Sequence, residues 1–375
     1  MMHRTRAPGL DALRGLATFS IFVVHGVHLP WSDSGWLGMP VFFVLSGFLI
    51  TGVMMQAERA GLPRPARLRL FFLGRARRIL PPLLLFLLLA VPLARWLGHP
   101  WDAGWPYALI FSHNLWVMSA AHQFSFLFNN LWSLSVEEQF YLIYPWIFIG
   151  LPRTRRPLLL LALLIAPLLR AALSHIASAH PEWFTTMRTA GAGASPRDIV
   201  VYVFGGSQID AFALGALLAL GGPTLLQRLG RTRWLVAATL LTIAIPALLG
   251  GTLEAIRYRA FLGQAGLGQE VWGYTVADLW ACTLLAWFAR HATRGVLVRL
   301  FAAFGQVSYE FYLVHFGVIA LIAIHLKPRW PASEWLWVPA EFAGALLIAL
   351  LLYVLNSQVL RFWPKPTIAV SAPGD

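Results

Sequence analysis

The stretch Leu13–Gly26, LRGLATFSIFVVHG, is the part of the chain from which the fold can first be argued. It is apolar enough for a membrane helix, yet Arg14 stands near one end and His25 follows eleven residues later. Eleven residues at ~100° each bring His25 back to within ~20° of Arg14, about 16 Å further along the helix axis. We therefore expect both side chains to face one groove, and His28, three residues on, to point to roughly the same side. An ionisable residue inside a membrane span is costly and indicates a functional site by default.

The whole chain shares the apolar character of this stretch. Of its 375 residues 58% are hydrophobic and only 12% are charged, and its mean hydropathy is +0.66. So few charges cannot cover a water-soluble surface of this size. We predict an all-α polytopic membrane protein without a cleavable signal peptide, because no small-residue cleavage site follows the first apolar run. The single cysteine, Cys282, excludes an internal disulfide.

Several apolar runs approach or exceed the ~20 residues that a helix needs to cross a bilayer. The predicted spans, ten in all, are Leu10–His28, Trp36–Met55, Ile79–Leu97, Leu131–Gly150, Leu158–His175, Val200–Leu220, Trp234–Gly250, Val271–Ala289, Leu300–Leu326 and Leu336–Val359. An even number of spans places both termini on one side of the membrane.

The positive charges indicate which side that is. Outside the spans, twenty Lys and Arg fall on the N-terminal side. Six fall on the other side, namely Arg188, Arg197, Arg257, Arg259, Lys327 and Arg329. This bias predicts that both termini are cytoplasmic. It also accounts for the net charge of +13 without any nucleic-acid partner.

The segment Tyr107–Ala120 is apolar but short for a span. Counting it as one would move the cluster Arg153–Arg156 outside and invert every later loop. We therefore predict a re-entrant or interfacial segment on the outer side. Its His113, Asn114 and Trp116 would face a cavity from that side.

Two arginines, Arg75 and Arg78, end the loop after the second predicted span in the sequence FFLGRARRILPP. Arginines three residues apart before a helix are suited to bidentate binding of phosphate. Attraction to anionic membrane lipid is the alternative explanation for either residue.

Two carboxylates, Glu137 and Glu138, open a predicted span from the outside in WSLSVEEQFYLIYP. A capping box from Ser135 to Glu138 would account for one of them. In VSYEFYLVHFG, Tyr312 and His315 share a helix face at a spacing of three residues.

Five segments, in order, carry a family resemblance: LDALRGLATFSIFVVH, GMPVFFVLSGFLIT, RARRILPP, LWSLSVEEQFYLIYP and SYEFYLVH. Together they resemble the membrane-bound acyltransferase 3 family of bacteria, which O-acetylates envelope polysaccharides. The resemblance covers about residues 10 to 359 and implies a ten-helix membrane core. It also implies transfer of an acyl group, usually acetyl from cytoplasmic acetyl-CoA, to a sugar hydroxyl at or beyond the outer face.

The resemblance also implies site residues. The family motifs fall on Arg14 and His25, on Arg75 and Arg78, on Glu137 with Glu138 beside it, and on Ser308, Tyr309 and His315. The chain departs from the family at Gln208, which stands where an arginine often precedes Asp210. Some relatives continue into an SGNH-hydrolase-type domain. This chain ends sixteen residues after its last predicted span, so we expect a single acyltransferase 3-type domain over residues 1–375.

A sugar hydroxyl needs a general base to attack a thioester near pH 7, and histidine has the suitable unperturbed pKa. We expect His25 to be that base, or a nucleophile that briefly carries the acyl group. Arg14 would orient the donor, Arg75 and Arg78 would hold the CoA phosphates, and no metal ion is expected. Either Glu137 or Glu138 would orient a histidine or bind the sugar, and we favour Glu137.

Two other functions remain open at this point. The family resemblance also fits an acyltransferase for a small hydroxylated metabolite, such as a macrolide sugar. Intramembrane Arg, His and Glu would equally serve a transporter of polar solutes, although the sequence shows no inverted repeat. The expected partners are acyl-CoA, membrane lipid and a saccharide or glycolipid acceptor such as lipopolysaccharide. The oligomeric state is left open.

The predicted topology can be tested with reporter fusions. A reporter fused after Asp375 should be cytoplasmic, and one inserted at residues 190–195 should be external, because ten spans return the chain to its starting side. An external C-terminus would overturn both the ten-span topology and the re-entrant interpretation of Tyr107–Ala120.

Overall fold

The computed structural model describes residues 8–27, 32–96, 104–185, 196–250, 269–291, 295–330 and 332–363. Over these ranges the protein is all-α, and its only β-type pairing is an isolated bridge between Ser119 and Phe184. The helices are α1 (Pro8–Gly26), α2 (Gly38–Arg59), α3 (Arg64–Trp96), α4 (Trp105–Leu109), α5 (His113–Met118), α6 (Leu131–Gly150), α7 (Arg155–Ala179), α8 (Pro196–Val203), α9 (Ile209–Leu220), α10 (Gly222–Leu229), α11 (Thr232–Gly250), α12 (Gln269–His291), α13 (Val296–Gln306), α14 (Ser308–Leu321) and α15 (Glu334–Phe362).

Among the described residues, five helical segments are long and apolar enough to cross a membrane: Ser34–Arg59, Arg64–Trp96, Arg155–Ala179, Ser308–Leu326 and Trp335–Phe362. A sixth is the bent pair of α8 and α9, if the two form one span. The protein is therefore a multi-pass helical membrane protein, and the total of ten spans stays a prediction.

Three predicted elements differ in the structure. The span Val200–Leu220 is broken into α8 and α9 by a 3₁₀ turn at Gly205–Gln208, with a bend of 66°. The span Leu300–Leu326 is interrupted at Val307, where the hydroxyl of Ser308 donates to the carbonyl of Gly305 at 2.8 Å. The supposed loop before Ile79 is helical, because α3 already begins at Arg64. Its sequence RPARLRLFFLGRARR is rich in good helix formers, so Arg75 and Arg78 lie on the helix itself.

The short segment Tyr107–Ala120 is not a span. It forms α4 and α5, which are separated where Phe111 adopts a positive φ of 53°. Two helices of 5 and 6 residues are far shorter than a bilayer requires. The structure thus agrees with a re-entrant or interfacial segment, and its placement on the outer side remains a prediction.

Glycines allow two helix pairs to approach closely. A Cβ at Gly15 of α1 would collide with the carbonyl oxygen of Phe301 on α13, and one at Gly305 would collide with that of Asp11. Between α2 and α9, Gly47 lies against the carbonyl oxygen of Phe212 in the same way. Small residues at such crossings are how membrane helices gain packing where the hydrophobic effect is absent.

The crossing of α2 and α9 provides a stability prediction. Gly47→Ala should destabilise the protein by ~1–3 kcal/mol, because the added methyl group must push two backbones apart. Gly52→Ala on the same helix is the control, since a Cβ there would meet nothing within 4 Å. Because glycine is unfavourable inside a helix, this substitution should leave the stability unchanged or raise it by ~0.5–1 kcal/mol. Thermal unfolding of both variants in detergent decides the matter. Equal unfolding temperatures would show that the crossing is not close.

Candidate active site

Five helices enclose a cavity of about 80 Å³ whose lining includes three guanidinium groups. We call it the basic cavity. Its lining includes six of the residues predicted for the site: Arg14 from α1, Arg75 and Arg78 from α3, Glu137 from α6, and Ser308 and Tyr309 from α14. Residues of four motifs that are far apart in the sequence therefore meet at one place. Glu137 of α6 lines the same cavity as Arg75 and Arg78 of α3, and the side of the membrane from which each helix begins stays a prediction.

The arginines of α3 divide into two groups. Arg75 and Arg78 line the basic cavity and make no hydrogen bond or ion pair with the described part of the chain. The guanidinium of Arg75 lies over the ring of Tyr141, 4.3 Å from its centroid, which holds it by a cation–π interaction. Arg77 has a structural role instead, since it donates to the backbone carbonyls of Leu360, at 2.7 Å, and Trp363.

The carboxylate of Glu137 is fixed by two hydroxyl groups. Ser46 on α2 and Tyr141, one turn further along α6, both donate to its Oε1. Glu138 is not among the residues that line the basic cavity, and its Oε1 has no hydrogen-bond partner among the described residues. The geometry thus separates the two carboxylates and favours Glu137 as the one that a ligand in the cavity would meet.

The predicted capping box is wrong. Helix α6 begins at Leu131, so Ser135 and Glu138 lie inside it. The hydroxyl of Ser135 donates to the carbonyl of Leu131 at 3.2 Å and accepts from the backbone N–H of His113 at 3.0 Å. The serine therefore holds α5 against α6 and leaves both glutamates without a capping role.

His25 lies beyond the basic cavity, beside His315 of α14. Nδ1 of His25 and Nε2 of His315 are 3.0 Å apart, and the two rings stack with centroids 5.2 Å apart. The expectation that Arg14 and His25 look into one open groove is wrong. Between them Ile21 and Phe22 of α1 are buried, and Phe22 packs edge-on against Phe311 of α14.

Tyr312 connects the cavity to the histidine pair. Its side chain lines the basic cavity, and its hydroxyl donates to the carbonyl of Asn130 at 2.7 Å and lies 2.5 Å from the hydroxyl of Ser133. Its own carbonyl accepts from Nδ1 of His315 at 2.9 Å. One residue therefore touches both the cavity and the ring that holds His25.

The polar residues of α5 do not line the basic cavity. His113 and Asn114 are fully buried, and Asn114 accepts from the amide of Gln139 on α6 at 2.8 Å. Trp116 stacks on Tyr107 with ring centroids 5.1 Å apart. These contacts pack α5 against its neighbours, and a direct role in catalysis stays a prediction.

Asp210 belongs to a buried ion pair. Its Oδ2 lies 2.8 Å from Nη2 of Arg170, and neither side chain is exposed. Arg170 also donates to the carbonyl of Ser207 at 2.7 Å, whereas Gln208 donates to the carbonyl of Tyr202. The cation that neutralises Asp210 thus comes from α7. A lone arginine within the apolar run of α7 is the sequence signal that could have revealed it, since such a charge needs a partner.

Three further polar residues were missed from the sequence. Ser46 and Tyr141 orient Glu137, as described above. Glu341 of α15 is fully buried, pairs with Lys327 at 3.1 Å and lies beside Gly26 at the end of α1. Within the described ranges no three His, Cys, Asp or Glu side chains stand close enough together to hold a metal ion.

The arrangement can be compared with known proteins. The family model described as an acyltransferase domain, Acyl_transf_3, matches residues 8–354. The chain belongs to the acyltransferase 3 family. The match contains all the residues that line the basic cavity, together with His25 and His315.

Individual relatives point the same way. The chain is similar to the peptidoglycan O-acetyltransferase OatA of Listeria monocytogenes, with 27% identity over 343 residues, which is 85% of this chain and 50% of that protein. It is also similar to the putative peptidoglycan O-acetyltransferase YrhL of Bacillus subtilis, with 39% identity over 85 residues, or 22% of this chain and 13% of the relative. The matched part of this chain thus spans half the length of OatA and a smaller share of YrhL. No solved structure matches it.

Proposed function

We propose that this protein is an integral membrane O-acyltransferase that moves an acyl group, in the first place acetyl, from acyl-CoA to a sugar hydroxyl of a cell-envelope polysaccharide or glycolipid. The observation that carries the proposal is the basic cavity, where three guanidinium groups and an oriented carboxylate meet, and from which Tyr312 leads to a histidine pair. Membership of the acyltransferase 3 family supports it.

The basic cavity is the proposed donor site. CoA carries several phosphate charges, and arginine binds phosphate through two parallel N–H groups at once. Arg75 and Arg78 line the cavity and keep these donors available, since no described residue accepts a hydrogen bond from them. Tyr141 holds Arg75 in place through its ring and Glu137 through its hydroxyl. Because Tyr141 holds Arg75 and Glu137 separately, the two groups do not pair with each other, and the arginine stays available to an anionic ligand.

His25 is the proposed base. It takes the proton of the sugar hydroxyl, and the oxygen attacks the thioester carbonyl, forming the C–O bond. The C–S bond then breaks, and the CoA thiolate leaves with the proton that His25 held. A histidine that is itself acylated would use the same lone pair, so both forms of the reaction need His25 in this position.

The proposed topology places the donor in the cytoplasm and the acceptor outside. The excess of Lys and Arg on one side supports this orientation. Arg14 and His25 are about 16 Å apart along α1, so the long pantetheine arm of CoA would have to extend past Tyr312 to bring its thioester to His25. If CoA extends from Arg14 to His25 in this way, no separate carrier is needed to bring the acyl group across.

The names of two relatives support the proposed acceptor class, since one is a peptidoglycan O-acetyltransferase and the other a putative one. Membranes that contain the protein can be incubated with [¹⁴C]acetyl-CoA. Alkali-labile label in the saccharide fraction of the envelope is the expected result. Label in a small metabolite would favour the metabolite acyltransferase, and uptake of an intact solute without any transfer would favour a transporter.

The donor site is tested by removing the two arginines of α3. Arg75→Ala combined with Arg78→Ala should raise the Kd for acetyl-CoA by about 100-fold or more, since each charge-assisted contact contributes ~1.5–3 kcal/mol. Calorimetric titration of the purified protein measures this without any acceptor. Arg69→Ala is the control, because Arg69 is exposed on the same helix and outside the cavity. Equal affinities in the two variants would contradict the donor site.

The base is tested at His25. His25→Ala and His25→Gln should each reduce acetyl transfer by ~10²–10⁴-fold, which is the usual contribution of general-base catalysis, while the Kd for acetyl-CoA stays unchanged. The O-acetyl content of envelope saccharides is measured at matched membrane abundance. His180→Ala, a change at an exposed histidine, is the control. Near-normal transfer in His25→Ala would place the base elsewhere.

A further inference from the structure

We propose that His315 is a positioning residue that decides which ring nitrogen of His25 carries the hydrogen, so that Nε2 of His25 is left as the base. The proposal rests on the proposed function for its chemistry. Its structural part concerns only the hydrogen bonds between two histidines and one helix backbone.

The hydrogen on His315 can be located first. Its Nδ1 lies 2.9 Å from the carbonyl oxygen of Tyr312 and 3.3 Å from that of Phe311. A carbonyl oxygen only accepts hydrogen bonds. Nδ1 of His315 must therefore carry the hydrogen, since the opposite tautomer would aim a lone pair at two carbonyl oxygens in a buried site.

The tautomer of His25 follows from that of His315. A neutral imidazole has one N–H and one accepting nitrogen, so Nε2 of His315 is an acceptor. It lies 3.0 Å from Nδ1 of His25, and that nitrogen must donate. Nε2 of His25 is then the nitrogen with the free lone pair. A backbone carbonyl thus determines, through two rings, which nitrogen of His25 is basic.

The surroundings keep this arrangement in place. The His315 side chain is buried at 1% exposure, and its ring lies parallel to that of Phe311, with centroids 5.8 Å apart. His25 is held between His315 and Phe316, whose ring centroid is 4.8 Å away. Either ring could flip only by giving up a hydrogen bond, and a buried polar atom left without a partner costs ~1–3 kcal/mol.

The hydrogen bond also serves the reaction itself. When Nε2 of His25 accepts the hydroxyl proton, the ring becomes an imidazolium whose Nδ1–H still donates to His315. A hydrogen bond from a charged donor is stronger than one from a neutral donor, so the pair stabilises His25 in its protonated state. When the C–S bond breaks, the proton passes from Nε2 to the leaving thiolate, and the starting tautomer returns.

Two variants of similar shape separate this role from simple packing. In His315→Gln the amide oxygen can take the place of Nε2 and accept from His25, whereas His315→Met is similarly long and lacks a strong acceptor. We expect His315→Met to lower kcat for acetyl transfer by at least about 10-fold, with the loss of the correct tautomer able to reach ~10⁴-fold. His315→Gln should restore most of the rate, and the Kd for acetyl-CoA should not change in either variant.

The tautomer can also be observed directly. In protein labelled with ¹⁵N-histidine, the ring-nitrogen signals that disappear in His25→Gln belong to His25. In the unaltered protein they should show a protonated Nδ1 and an unprotonated Nε2, and in His315→Met they should change towards the other tautomer. This measurement needs neither donor nor acceptor.

The outcomes are distinguishable. Equal rates for the Gln and Met variants at matched abundance, or a protonated Nε2 on His25 in the unaltered protein, would overturn the positioning role while leaving the proposed base intact. Normal transfer in His25→Gln would instead refute the proposed base, whatever the tautomer. If both His315 variants fail to accumulate, the ¹⁵N spectrum of the unaltered protein alone decides between the two tautomers.

Discussion

The close approach of α1 to α13 at Gly15 and Gly305 is the constraint on which the site depends. Because neither residue has a Cβ, each backbone rests against a carbonyl oxygen of the other helix. The contact sets the register of the chain that follows. His25 comes ten residues after Gly15 on the same helix, about 15 Å further along its axis, and His315 of α14 meets it there.

The interruption at Val307 is the second part of this arrangement. Asp11 and Gly15 meet Gly305, whereas Phe19 meets the earlier residue Phe301. Along α14 the order is reversed, since Phe22 meets Phe311 and His25 meets His315. The chain therefore changes direction relative to α1 at Val307. Ser308 and Tyr309 are placed at the basic cavity for this reason, and the rest of α14 follows α1 towards its end.

Charge inside an apolar bundle has to be neutralised or put to use. Arg170 is neutralised by Asp210 and Lys327 by Glu341, and both carboxylates are fully buried. Arg75 and Arg78 differ from these cations, because they line a cavity and have no hydrogen-bond partner among the described residues. Arg75 is half-buried and Arg78 is exposed at the cavity, and two guanidinium groups placed in this way are suited to an anionic ligand. Under the proposed function that ligand is the donor, and Tyr312 stands between it and the base.

Much about this protein could be predicted from the sequence alone. Apolar runs and sparse charges predicted a helical multi-pass membrane protein, and the ordered motifs predicted its family, which is confirmed. Both conclusions depend on local properties, namely hydropathy and residue spacing. The short run Tyr107–Ala120 was recognised from its length together with the distribution of positive charge, which would be inverted in every later loop if the run were a span.

Only the tertiary structure decided how these residues meet. One-dimensional periodicity placed Arg14 and His25 on one face of α1, but packing by Phe22 and Phe311 filled the space between them. The periodicity of the sequence could not show that Glu137 and Arg75 line one cavity. Nor could it show that the partner of Asp210 is Arg170 from another helix. Helix spacing determines the face of a side chain. Its partner depends on which helices cross and at what level, and here glycine contacts between residues far apart in the chain set that level.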